Sequence, residues 1–554
     1  MRSFFAAVGA FFFVISPVFA QPGAQELLYS PDHSVKLALA DLKTLPPDIQ
    51  YTTRYLSLYN IPRNDRIAVA KTVSFVVNSL STRRKPYVPS FVPNSDFTLI
   101  RLNLDDYDWD RKTWEKLGKE GSGPKPFPEP YFHYFIEEQD VEVIITPNFV
   151  EVIVETAPIY VGERQVGTVK QGDQFTISQT QGEWYSITTA DGTAGWLSKR
   201  NCKAVQRTRN TGSRRRRFAQ APWLEASSVI DLVKLTQSEC PIYRADWFIC
   251  NAILPPTYHE FLKLGKNFKD FEKLVFADVN RAENARLQDK GIVIHSSVAR
   301  NNRTLIRSNA LTNYIWISHD TLRSVDKRKY AQIILNEEFD ASEIIGSLPN
   351  GLQAYFLTDG KGSRTDFADP NIAIDSTAAD KIVRTGRSCM ICHSDGIRPI
   401  DDEIRSITKM LQDKEQVQLL ASKKGDYYKV ADLFGSDLSQ VVVRDQQSYQ
   451  NAVNAVTGLD MRVNAANLAR IYDGYAETLL TKENVVRECG IPFNELETLI
   501  RLSTDNVVAG LIKSPVRAVR RDQWEESFGQ FMLLAAGIKK AQQGAPPPAP
   551  ARKD

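Results

Sequence analysis

The 554-residue chain is poor in the side chains that bind metals and move electrons: six cysteines, six histidines and five methionines. No second C-x-x-C and no H-x₃₋₅-H pair is present, so a zinc site built from paired ligands is excluded. A strong charge of one sign is also missing, with 69 Lys and Arg against 66 Asp and Glu. That balance argues against a dedicated nucleic-acid binder, whose contact face is strongly basic. No apolar run reaches the roughly 18 residues that span a bilayer, which excludes an integral helical membrane protein. Glycine and proline, 29 and 28 residues, are too few for a collagen-like protein, and 42 % apolar residues are too many for a wholly disordered one. What remains is a globular protein with length for about three or four domains at roughly 150 residues each.

Residues 1–20 read as an export signal. Arg2 is a short positive start, Phe4 to Ile15 an apolar stretch, and Val18-Phe19-Ala20 a small-residue cleavage site. The expectation is a periplasmic or secreted protein, with no transmembrane anchor, whose cysteines meet oxidising conditions.

The remaining sequence reads as a multidomain α+β protein. An N-terminal α+β domain is expected over 22–148, with a helix at Ile67–Leu80 and a strand at Phe97–Leu104. The nearby Asp105, Asp106, Asp108 and Asp110 do not make a calcium loop, because Arg111 and Leu117 stand where Gly and Glu are required. Residues 149–205 alternate as short strands separated by glycine turns and predict a small β-barrel. An Arg-rich linker follows over 206–220. A mixed α+β domain is expected over 221–385, with strands at Ile292–Ile294, Tyr314–Ile317 and Gln353–Leu357 and a turn at Asp359-Gly360. A mainly helical region follows over 386–540, and the tail 541–554 is Pro/Ala-rich and expected to be disordered.

The segment 149–205 resembles a bacterial SH3-type domain through Ala157-Pro158-Ile159-Tyr160, Gly167, Gly172-Asp173, Trp184-Tyr185 and Gly195-Trp196-Leu197. The resemblance implies a module that attaches proteins to cell-wall peptide or glycan, or a packing spacer.

The sharpest motif is Cys389-Met390-Ile391-Cys392-His393. In an exported protein the spacing C-x-x-C-H marks covalent haem c. Positions i, i+3 and i+4 share one helix face, so two thiols can reach the two haem vinyl groups while His393 approaches the iron as proximal ligand. Ser388 is placed to cap this helix, and Asp395-Gly396 and Pro399 to end it. The motif resembles that of monohaem c-type cytochromes. Together with Asn301-Asn302-Arg303 and Leu348-Pro349-Asn350-Gly351-Leu352-Gln353-Ala354-Tyr355, it resembles a larger family of secreted bacterial proteins without an assigned activity.

For the other face of the iron, Met461 is the leading candidate from its spacing. Met410, Met532, His259, His295 and an open site are the alternatives. Arg384, Arg387 and Arg398 flank the motif and suit haem propionates. Cys240 and Cys250 are expected to form a local disulfide, while the pairing of Cys202 and Cys489 stays open. The functional expectation is electron transfer through one haem to a redox partner protein. A haem enzyme with an open iron, and a wall-associated binding protein with a structural or sensory haem, are the alternatives.

Overall fold

The computed structural model describes residues 30–123, 126, 129, 132–139, 149–189, 191–205, 214–221, 223–276, 287–293, 303–310, 313–321, 339–400, 438–503, 505–513 and 516–544. Residues 1–20 and 545–554 lie outside them.

The protein forms two compact units, Phe135–Ala219 and everything described on either side of it. The described residues of the expected domains 22–148 (as far as Tyr134), 221–385 and 386–540 lie in the same compact unit. Their fusion begins at the backbone: strand Thr53–Ser57 pairs in parallel with Ile242–Arg244 and antiparallel with Leu99–Asn103. Helix Arg66–Ser79 packs against helices Leu438–Thr457 and Met461–Tyr472. A buried hydrogen bond fastens the first contact, Ser74 Oγ donating to Val456 O at 2.6 Å, and Asn350 Nδ2, from a turn of a later sheet, donates to Asn78 O at 2.8 Å. Such long-range pairings are invisible to a search for composition shifts.

The four aspartates near Trp109 serve local structure. Asp110 caps helix Arg111–Glu120 by accepting from Lys112 N at 3.0 Å, and Asp108 pairs with Lys263 at 2.7 Å. The tryptophans join an aromatic core in which Trp114 stacks on Tyr243 at 4.3 Å and donates from Nε1 to Cys240 O at 2.7 Å. The expected Cys240–Cys250 bond is not formed. Cys240 precedes strand Ile242–Arg244 and Cys250 lies on helix Ala245–Ala252; both are buried free thiols, held protonated by burial.

A six-stranded antiparallel meander follows, in sequence order: Leu287–Val293, Arg303–Ala310, Asn313–Asp320, Ala341–Ser347, Gln353–Asp359 and Arg364–Thr365. Period-two alternation gives it two distinct faces. Phe356 packs on Phe271 of helix Phe268–Val275 at 5.2 Å, and a Cβ on Gly346 would also run into Phe271. On the opposite face Ser318, Glu343 and Leu357 sit in register across three strands.

His319 of this sheet stacks on Phe339 at 4.4 Å, with Nδ1 2.8 Å from Ser342 Oγ. Burial, reinforced by Lys290, pulls its pKa down to about 4. The folded protein thus takes up this proton later than the unfolded one, whose imidazole titrates near 6.5. Stability is intact above that value and falls as pH drops toward 4, by about 3 kcal/mol from this group. His319→Gln is expected to flatten that part of the profile of unfolding midpoint against pH; an unchanged slope would discard the assignment.

In the second unit, eight strands form a five-stranded and a three-stranded sheet between Phe149 and Val205. They enclose one core that includes Val150, Ile159, Ile187 and Leu197. The arginine run is not simply a linker: Arg214–Gln220 is a strand paired with His133–Gln139. Residues 206–213 lie outside the described part.

The C-terminal region is helical, and its last helix, Arg521–Gly544, runs into the expected tail. Among the described residues no helix is long and apolar enough to cross a membrane.

Candidate functional site

The C-x-x-C-H segment is a short helix, Arg387–Cys392, with His393 as its C-terminal cap residue. Its start depends on Gly386, which has φ +81°. That left-handed conformation favours glycine, and a Cβ here would also collide with Ile253 O and the Tyr258 ring. The Tyr258 hydroxyl in turn accepts from Tyr355 N at 2.8 Å, so the helix is pinned to the meander. Ser388 is not the cap. It lies inside the helix, and its Oγ accepts from Arg384 N at 2.9 Å. The exit is fixed by Gly396 N donating to His393 O at 2.9 Å, with Gly396 at φ +93°.

Cys389 is buried and Cys392 half-buried; burial raises both thiol pKa values, so both sulfurs are protonated near neutrality. His393 Nδ1 lies 3.3 Å from Gly396 O. Donation from Nδ1 to that carbonyl leaves the lone pair on Nε2 for a metal, the usual arrangement of a ligating histidine. The ring lies near-parallel to Tyr355 at 6.1 Å.

A carboxylate cluster faces His393. Glu343 Oε1 stands 3.5 Å from Nε2, and Arg303 Nη2 donates to Glu343 Oε2 at 3.1 Å. Arg303 also forks onto Asp320 at 2.6 and 2.9 Å. Burial alone would raise the Glu343 pKa. With a proton on Nε2 and no metal bound, His393 pairs with Glu343, and together with Arg303 it outweighs burial and brings the Glu343 pKa to about 2. At Asp320 burial wins, and the carboxyl is raised despite Arg303.

These groups line a cavity of about 800 Å³. That lies within the roughly 300–1,000 Å³ of pockets that enclose small ligands and cofactors. The motif helix supplies one wall with Cys389, Cys392 and His393, and the sheet supplies another with Leu305, Ile345 and Leu357. Phe367 and Ile374 also line it, yet are 61 % and 41 % exposed, so the cavity opens through an apolar mouth. Two thiols and an imidazole with an available nitrogen, set in a largely apolar cavity of this size, fit a covalently held tetrapyrrole.

The other expected ligands are not gathered here. Met461 begins helix Met461–Tyr472, donates its N–H to Gln450 Oε1 at 3.0 Å and does not line the cavity. Spacing from a small cytochrome does not transfer to a protein in which that helix packs on Arg66–Ser79. Met532 is buried within the last helix, and His259 sits 3.4 Å from Asp366. Met410 and His295 lie outside the described residues. Of the three arginines only Arg398 lines the cavity; Arg384 is paired with Asp380, and Arg387 is buried on Asp375 with its guanidinium 4.4 Å from the Tyr472 ring centroid.

Arg303, Asp320 and Glu343 were not legible as site residues. Arg303 stands in a segment quoted only for a family resemblance, and Glu343 reaches His393 only through the strand register. Comparison with curated proteins and with solved structures gives no match. No haem-protein family is matched. Residues 162–203 match the family described as Bacterial SH3 domain, and the second unit thus contains a bacterial SH3 domain.

Proposed function

We propose that the protein is an exported monohaem c-type electron-transfer protein, with haem held by Cys389, Cys392 and His393. The observation that carries the reading is one cavity wall bearing both thiols and the imidazole of the C-x-x-C-H segment. Haem, when bound, supplies the one-electron Fe(III)/Fe(II) chemistry. The protein's own part is placement. Gly386 fixes the helix start, so the two sulfurs face the cavity from successive turns. Gly396 O orients the His393 ring and keeps Nε2 available. Leu305, Ile345 and Leu357 keep water from that face, and Arg398 offers a cation for a carboxylate at the rim. The SH3 module is proposed to hold the protein at cell-wall peptide or glycan, close to a redox partner protein.

The test is to export the full-length protein from cells with and without a working haem c maturation system. The expected product has lost residues 1–20, gains one haem by intact mass and gives a c-type pyridine haemochrome only with the system. An unmodified polypeptide, made beside a loaded control cytochrome, would end the proposal.

A further inference from the structure

We propose that Glu343 is the second axial ligand of the iron; the assignment rests on the haem reading above. Met461, favoured by spacing, is not at the cavity, and among the described residues the group facing His393 is read from what stands there. What stands there is a carboxylate. Glu343 Oε1 faces His393 Nε2 across 3.5 Å, and the Glu343 side chain is 17 % exposed. An imidazole and a carboxylate on opposite sides of one first-row metal would stand roughly 4 Å apart, at bond lengths of about 2.0–2.2 Å each. Opening the pair by about half an ångström is enough for that, and both residues line the cavity.

The second observation is the division of labour on the carboxylate. Arg303 takes Oε2, which leaves Oε1 directed at His393. Arg303 is itself anchored by two bonds to Asp320, so Glu343 is held from behind by a braced guanidinium. Ligating carboxylates are commonly fixed by such outer hydrogen bonds. In strand register Glu343 lies between Ser318 and Leu357, both also cavity-lining, so the sheet itself fixes its direction.

The chemical consequence is specific. Methionine opposite histidine raises the potential of a c-type centre. An anionic oxygen instead stabilises the ferric state, lowers the potential and leaves ferric iron high-spin. The site would then suit donation of electrons to a partner rather than acceptance from a weak reductant.

The experiment uses the full-length matured protein, with electron paramagnetic resonance and the visible spectrum of the ferric form as readouts. Covalent haem content is scored separately by pyridine haemochrome. Wild type is expected to be high-spin. Glu343→His is expected to convert it to low-spin, and Glu343→Met to shift the potential upward. Arg303 keeps Asp320 as a partner in both variants, and unchanged haem content reports that the fold has survived. A low-spin wild-type spectrum that persists in Glu343→Gln would overturn the assignment, as would a high-spin spectrum that neither Glu343→Gln nor Glu343→His alters. Absence of haemochrome from wild type would instead remove the haem reading, and this inference with it.

Discussion

Replacing Cys389 and Cys392 together by alanine is expected to abolish covalent haem, with no haem stain on a denaturing gel. These two are the only cysteines that line the cavity. The other four are buried free thiols elsewhere among the described residues and cannot substitute. Each single variant should keep one thioether, so its stain persists while the pyridine haemochrome band moves. The graded result matters, because a general folding defect would reduce all three variants alike. The packing cost of removing two sulfurs is small beside that of losing a large side group, and unstained protein should still be folded. Full staining of the double variant would refute attachment at this motif.

The largest expected loss of stability comes from a different place. Glu488, at the end of helix Lys482–Cys489, accepts two bonds from Arg521, both at 2.8 Å, and pairs with Arg244 Nη1 at 2.9 Å. Its backbone carbonyl accepts from the Tyr59 hydroxyl. Arg244, 0 % exposed, is also forked onto Asp246, at 3.0 and 2.5 Å, while Arg521, 7 % exposed, takes both oxygens of Glu488, so this carboxylate joins the N-terminal sheet to the last helix. Removing one partner of such a buried pair costs about 3–5 kcal/mol, and here it takes the forked carboxylate from the buried Arg521. Glu488→Gln should lower the unfolding free energy by about that amount. The control is Glu497→Gln, which breaks a more exposed pair with Lys482 at 2.9 Å and should cost far less, because solvent screens such pairs. Similar small losses in both variants would show that Glu488 is not the balancing charge.

These two sites differ in how far the sequence discloses them. The C-x-x-C-H spacing needs only one helical turn, so its residue types alone state the chemistry. Helix Arg66–Ser79 and strand Leu99–Asn103 were legible for the same reason, since apolar periodicity is a local signal. The SH3 module was legible through its glycine turns and aromatic positions. The unity of the larger body was not. Residues 53–57 and 242–244 are separated by nearly two hundred positions, and nothing in either strand names its partner. Glu343 was hidden in the same way, because a lone glutamate in a strand becomes a site residue only through the register that aims it at His393. Met461 shows the converse: separation along the sequence is a poor measure of distance once other helices compete for the same surface.

The paired strands His133–Gln139 and Arg214–Gln220 lie where the backbone leaves the larger unit and where it returns. Because those two strands run side by side, departure and re-entry occur at one spot. Insertions tolerated in proteins commonly have this arrangement of neighbouring ends. The SH3 module is thus carried as a cassette between two paired strands, so its removal would leave those strands within reach of a short hairpin turn.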